Sequence, residues 1–189
     1  MGDLVPRRGN FVTFTIARVL LLLTGWRFEG ELPNLKQFVM IVAPHTSNWD
    51  FPVGVMAMFA LGIRGTFLGK NTLFKRPFGF IFRWLGGVPV DRSSSHNVVD
   101  QTIEYFRQTD RLILALSPEG TRKKIPQWRT GFYWVAVGAG VPIVPVAFDF
   151  PRKRYILHPP QVMTGDADRD IAHLRSFFSA SQARRPENY

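Results

Sequence analysis

One stretch, Val39 to Pro52 (VMIVAPHTSNWDFP), restricts the possible folds of this chain more than any other. Val39 to Ala43 is a short apolar run rich in Val and Ile, which suit a pleated surface covered on both faces. It stops at Pro44. Proline is tolerated in the first turn of a helix but not in its interior. With Pro52 in place, the apolar segment Val53 to Leu61 therefore predicts a helix opening near Asp50 or Phe51. His45 then lies on the loop between a strand end and a helix start, where α/β proteins keep much of their chemistry. Asp50 follows His45 by five positions. On one continuous helix the two would point about 140° apart, at 3.6 residues per turn. Contact between them requires His45 to lie off the helix. A carboxylate on one imidazole nitrogen fixes the tautomer and leaves the other nitrogen as a general base.

The same pattern of strand, charged turn and helix recurs. Gly87 to Val90 predicts a brief strand ending at Asp91-Arg92. Leu112 to Leu116 predicts a buried strand running into Ser117-Pro118-Glu119-Gly120-Thr121-Arg122, and Ile143 to Phe148 predicts a third. Thr66 to Leu68 reads as a short strand with Lys70 at its end. Helices are predicted over Asn97 to Gln108, over Gly131 to Ala139 with Gly140 as C-cap, and over Arg169 to Ala180 behind a cap at Asp166 or Asp168. Phe74 to Leu85 has helical spacing and is apolar over most of its girth, which suits a buried helix, a membrane boundary or an acyl-chain groove. Tyr155 to Leu157 reads as a late strand, Arg152-Lys153-Arg154 as a solvated basic turn, and His158 as structural. The expected fold is α/β, a single domain with a mostly parallel central sheet flanked by helices. Parallel strands bring the charged clusters at His45–Asp50, Asp91-Arg92 and Glu119–Arg122 to one edge.

Composition narrows the chemistry. At 189 residues the chain is long enough for one domain with a real core. It has no cysteine, which excludes disulfides, thiolate zinc sites and an acyl-cysteine intermediate. The formal net charge is +10. Its basic residues are spread among aromatics rather than gathered in arms or a recognition helix, which favours membrane and phosphate over nucleic acid. Phe11 to Leu23 is shorter than the roughly 20 residues a bilayer span needs, and Arg18 interrupts it. No small-residue cleavage site follows, as a signal peptide would require. Residues 1–28 are expected to form an interfacial or core-packing helix, ahead of the main domain at 29–189. Gly62 to Lys70 ends in Gly-Lys, but a phosphate loop needs a glycine where Arg64 stands and Ser or Thr where Asn71 stands. Ser117 lacks the G-x-S-x-G elbow of a hydrolase nucleophile.

Four segments together resemble the glycerolipid acyltransferases of the lysophosphatidic acid acyltransferase type. His45-Thr46-Ser47-Asn48-Trp49-Asp50 is similar to the H-x4-D motif of that family. Gly87-Val88-Pro89-Val90-Asp91-Arg92 is similar to its second motif, Pro118-Glu119-Gly120-Thr121-Arg122 to its third, and Val141-Pro142-Ile143-Val144-Pro145-Val146 to its fourth. The resemblance implies acyl transfer from acyl-CoA or acyl carrier protein to a lysophospholipid hydroxyl, most directly that of 1-acylglycerol-3-phosphate. It implies His45 as general base and Asp50 as its orienting partner. Arg92, Arg122 and Lys70 would hold phosphate, and Glu119, Gly120 and Thr121 would line the substrate. Glu119 is expected to anchor Arg122, and Gly120 to let backbone approach the ligand. No bound cofactor or metal is implied. The expected partner is a membrane lipid acceptor on an anionic surface, and the expected place is peripheral, on the cytoplasmic face of a bacterial inner membrane. Lys123-Lys124 replaces the family's common serine, and Trp49 is bulky. A lyso-ornithine lipid or other lysolipid acceptor therefore stands as an alternative, as does a non-catalytic basic membrane-binding module.

Overall fold

The Val- and Ile-rich run before Pro44 becomes a seven-residue strand, Gln37–Ala43, with side chains buried on both faces. In the computed structural model, which describes residues 2–90 and 95–189, the strands in chain order are β1 (Arg27–Glu29), β2 (Gln37–Ala43), β3 (Gly65–Lys70), β4 (Gly87–Val90), β5 (Leu112–Leu116), β6 (Ile143–Asp149) and β7 (Arg154–Leu157). The helices are α1 (Phe11–Thr24), α2 (Asp50–Ala60), α3 (Gly79–Trp84), α4 (Ser95–Gln108), α5 (Gly131–Ala139) and α6 (Ala167–Arg175). The strands form one sheet in the order β1-β7-β6-β2-β5-β3-β4. β2 pairs in parallel with both β5 and β6, and β3 pairs in parallel with β5 and β4. Only the β6–β7 pair is antiparallel. The C-terminal ends of β2, β3, β4, β5 and β6 thus share one edge.

Period-two alternation splits β2 between two cores. Phe38 and Met40 pack with Val53 and Ala57 of α2 and with Leu21 of α1. Val39 and Ile41 face the other way, among Phe106 of α4, Phe132 and Tyr133 of α5, and Leu174 of α6. The motif around Ile143 to Val146 lies on β6, the strand beside β2, whose every residue is buried between the two cores. Its role is to flank β2 and hold it in register.

Several local expectations hold. α2 opens at Asp50 with Pro52 in its first turn. Gly140 ends α5 in the left-handed conformation at φ 66°. Asp166 caps α6 by accepting from Arg169 N–H at 3.1 Å. α6 stops at Arg175, short of the expected Ala180, and a 3-10 turn follows at Ala180–Gln182. His173 lies on its solvent side and bonds Gln161. His158 stacks on Phe177, as a structural residue does.

Three differ. The predicted helix over Phe74 to Leu85 is broken: a 3-10 turn covers Asn71–Phe74 and α3 starts only at Gly79. Pro77, with no N–H and a ring that clashes with the preceding turn, separates them. The basic turn at Arg152–Arg154 is not merely solvated. Arg152 and Arg154 both reach Glu29, at 2.8 and 3.1 Å, and fasten β1 to β7. β1 itself escaped the sequence reading.

α1 is capped by Asn10 in a capping box with Thr13 and buries only Ala17 and Leu21. Phe11, Val12, Ile16, Leu22 and Leu23 stand exposed, as do Phe78, Phe80 and Trp84 around α3. Arg8 lies over the rings of Phe59 in α2 and Trp84 in α3, joining the chain start to both helices. Among the described residues no helix is long and apolar enough to cross a membrane.

Candidate active site

β2 delivers Ala43 and Pro44 to the shared edge, and α2 begins six residues after Pro44, at Asp50. His45 therefore sits on a short loop. Its Nδ1 lies 2.9 Å from Asp50 Oδ2. The same oxygen accepts the Ser47 N–H at 2.9 Å, which fixes the carboxylate from the other side. Asp50 is 4% exposed while His45 lines an open cavity. With the proton on Nδ1 held by the carboxylate, Nε2 is the nitrogen left for chemistry.

β5 is the parallel neighbour of β2, so the loop after Leu116 lies beside the loop after Ala43. Glu119 reaches across. Its Oε2 accepts the His45 N–H at 2.8 Å and the Ser117 hydroxyl at 3.3 Å. The expected Glu119–Arg122 pair is not formed, because Glu119 turns inward to His45 and is 5% exposed. Burial pushes its carboxyl up to about 7, against the opposing pull of the His45 N–H. Its Oε1 and Asp50 Oδ1 have no hydrogen-bond partner among the described residues.

Gly120 adopts φ +65°, a left-handed conformation that favours glycine. The space a Cβ would need is taken by Arg129, whose Cδ and Nε would lie 2.7 and 2.9 Å away. Gly120 thus makes room for an arginine side chain. Thr121 lines the cavity, and its hydroxyl accepts the Lys123 N–H at 3.3 Å. Arg122 is exposed on the same wall, and no carboxylate reaches it among the described residues. Lys70 ends β3 at this edge but stands outside the cavity wall. Asp91 and Arg92 lie outside the described residues; β4, which precedes them, ends at the same edge, and Val90 lines the cavity.

The cavity measures about 1590 Å³. One part runs beneath α2, between Met40, Gly54, Met58 and Phe148; a basic rim is formed by Arg122, Lys123 and Arg129. Large apolar pockets with a few polar groups at one end suit amphiphilic ligands.

The last described residues brace the histidine loop. Thr46 Oγ1 accepts the Arg185 N–H at 3.2 Å, and Thr46 O accepts from Asn188 Nδ2 at 3.5 Å. Arg184 lies over the Trp49 ring at 5.0 Å. Sequence reasoning missed Thr46, Ser47 and Arg129. The first two stand inside the H-x4-D segment itself. Arg129 carries no local signal, because its place depends on the shape of Gly120.

A family model described as Acyltransferase matches residues 27–149. The 1-acyl-sn-glycerol-3-phosphate acyltransferase of Streptococcus pneumoniae is 30% identical over 153 residues, which are 76% of this chain and 56% of the relative. The protein of the same name from Haemophilus influenzae is 29% identical over 134 residues, 66% of this chain and 54% of its own. The chain therefore spans about half the length of these curated relatives. Among solved structures, the 1-acyl-sn-glycerophosphate (LPA) acyltransferase PlsC of Thermotoga maritima aligns with a TM-score of 0.60 over 88% of this chain and 75% of its own. At 19% identity that likeness shows a shared fold. Since the family match takes in β2 and β5 with the His45–Asp50 and Glu119–Arg122 loops that follow them, this chain belongs to the acyltransferase family.

Proposed function

We propose that this chain moves a fatty acyl group from a thioester, acyl-CoA or acyl carrier protein, to a hydroxyl of a lysophospholipid, 1-acylglycerol-3-phosphate in phospholipid synthesis. The observation that carries this reading is the His45–Asp50 pair, 2.9 Å apart, lining a cavity that is apolar in its depth and cationic at its rim. An acyl chain suits the apolar part, and a phosphate suits the arginines.

His45 Nε2 takes the acceptor's hydroxyl proton as the oxygen attacks the thioester carbon. A C–O bond forms, the C–S bond breaks, and the leaving thiolate recovers the proton from the imidazolium. Asp50 stabilises that imidazolium and keeps the ring oriented. Glu119 holds the main chain of His45 in place. No acyl-enzyme is needed. General-base catalysis of this kind contributes roughly 10²- to 10⁴-fold. Arg122 holds the acceptor's phosphate, since guanidinium and phosphate pair through two parallel hydrogen bonds, and Arg92 and Lys70 are the further residues that the family resemblance assigns to it.

The exposed apolar residues of α1 and α3, with Arg8, Arg18 and Arg83 among them, lie against an anionic membrane surface. The protein is placed peripherally, on the cytoplasmic face of a bacterial inner membrane, where thioester donors are supplied.

The test is thiol release by purified protein. Acyl-CoA and acyl carrier protein donors are offered with 1-acylglycerol-3-phosphate, a lyso-ornithine lipid and a monoacylglycerol. Release is expected to be fastest with 1-acylglycerol-3-phosphate and to vanish in His45→Ala. Equal rates in the parent and in His45→Ala overturn the mechanism, and preference for an acceptor without phosphate overturns the substrate.

A further inference from the structure

We infer that Arg129 binds the phosphate monoester of the acceptor, forming with Arg122 a two-pronged site at the rim of the cavity. The inference rests on the proposed acceptor class and adds a residue that lies outside all four motifs.

Arg129 is fixed at both ends. Trp128 before it is buried and packs edge-on against Phe132 and Phe178 at ring distances of 6.0 and 5.6 Å. The Arg129 main-chain N–H donates to Pro118 O at 2.9 Å, tying the start of α5 to the Glu119 loop. Its side chain then lies across Gly120, close enough that a Cβ there would meet its Cδ at 2.7 Å. The stem of Arg129 is thus laid along a groove that only a glycine leaves open.

Among the described residues its charge meets no partner that ties it into the fold. Arg152 and Arg154 find Glu29, Arg107 finds Glu104, Arg111 finds Asp110, and Arg8 and Arg18 stack on aromatic rings. Among the described residues the guanidinium of Arg129 meets no carboxylate, although it lines the same cavity as His45 and Arg122. An arginine whose stem is ordered but whose head is unpaired loses little further freedom on binding a planar-faced anion.

The position favours the acceptor's phosphate over the donor's. Glu119 touches the main chain of His45 at 2.8 Å, Gly120 is the next residue, and Arg129 covers Gly120. The phosphate of 1-acylglycerol-3-phosphate is only a few bonds from the hydroxyl that His45 must deprotonate. The phosphates of a thioester donor lie at the far end of the pantetheine arm.

Arg129→Ala, Arg129→Gln and Arg129→Lys are measured against 1-acylglycerol-3-phosphate and monoacylglycerol, with melting temperature beside the kinetics. Losing one charge-assisted hydrogen bond of about 1.5–3 kcal/mol corresponds to roughly 10- to 100-fold. That loss is expected in KM for the phosphorylated acceptor, in Ala and Gln alike, with part recovered by Lys. Monoacylglycerol kinetics and the KM for acyl-CoA are expected to stay within about twofold. Equal loss on both acceptors with lowered melting shows a structural prop for Gly120 and overturns the inference, as does a loss confined to the acyl-CoA KM. A separate titration of glycerol 3-phosphate into His45→Ala and His45→Ala/Arg129→Gln keeps this outcome distinct from the fate of the proposed function. If the parent prefers another acceptor, the function falls, while weaker glycerol 3-phosphate binding in the double variant still supports Arg129. Unchanged binding, or none in either protein, overturns it.

Discussion

Asp50 is 4% exposed and fixed by two contacts of 2.9 Å, whereas Arg122 is open to solvent and reaches no carboxylate among the described residues. The two stand on loops that leave adjacent strands of the same sheet. The histidine loop is finished before any ligand arrives: its carboxylate is buried, its main chain is held by Glu119, and Thr46 is braced by the end of the chain. The arginine loop is left with unspent charge. Proton transfer demands a fixed distance and tautomer, so its parts are rigid. Phosphate recognition, the role proposed for Arg122, tolerates long side chains that close on a ligand. Substitutions on the two loops should accordingly fail in different ways.

The largest expected effect is at His45. His45→Ala should lower kcat by roughly 10²- to 10⁴-fold with melting nearly unchanged, because its side chain is partly exposed and packs little. Activity within a few-fold of the parent would remove His45 as the base. Arg122→Ala should cost roughly 10- to 100-fold, mainly through KM for a phosphorylated acceptor, with partial rescue by lysine. If kcat falls instead and melting drops, the proposed contrast between the loops breaks down. Gly120→Ala should act on both properties at once. A left-handed residue with a Cβ costs about 1–2 kcal/mol, and the methyl displaces the Arg129 stem. Its signature is lowered melting together with a loss that depends on the acceptor's phosphate.

Two smaller effects sharpen the picture. Binding to anionic vesicles should weaken as salt rises and need no detergent for release, since the arginines among the exposed apolar residues act through screened attraction. Vesicle binding that ignores salt would point to apolar insertion alone. The smallest effect is at Glu119. Its folded carboxyl titrates at about 7, above its ordinary value. Between those two points the folded protein holds a proton that the unfolded chain has released. The stability from this group is therefore full below the ordinary value and lost as pH rises towards 7. Glu119→Gln keeps an acceptor for the His45 N–H and should flatten that slope in melting curves taken from pH 5 to 8.

Much of this was legible because it is local. The β-branched runs of β2, β5 and β6, Pro52 at the head of α2 and Gly140 at the end of α5 each announce themselves within a few residues. Spacing says only that His45 must lie off the helix to meet Asp50; the pairing itself comes from the resemblance to the H-x4-D motif. What escaped depends on neighbours distant in sequence. β1 is three residues, Arg27, Phe28 and Glu29, whose strand exists because β7 lies beside it. Glu119 is expected to hold Arg122 but accepts the His45 N–H instead, since nothing local says that the loop after β5 sits against the loop after β2. Phe74 to Leu85 has helical apolar spacing, yet a 3-10 turn and a short helix divide it. Its apolar spacing was read, but Pro77 decides the backbone.

The brace on Thr46 also bears on how the chain is made. Arg185 and Asn188 reach that threonine across 139 and 142 positions. β2, which leads into the histidine loop, takes both of its sheet partners from residues 112 to 147. A nascent chain emerging from the ribosome therefore presents its histidine long before residues 185–188 are available to brace the loop that carries it. The brace on Thr46 is therefore made late, and chains that stall before residue 185 should carry the whole motif on an unbraced loop.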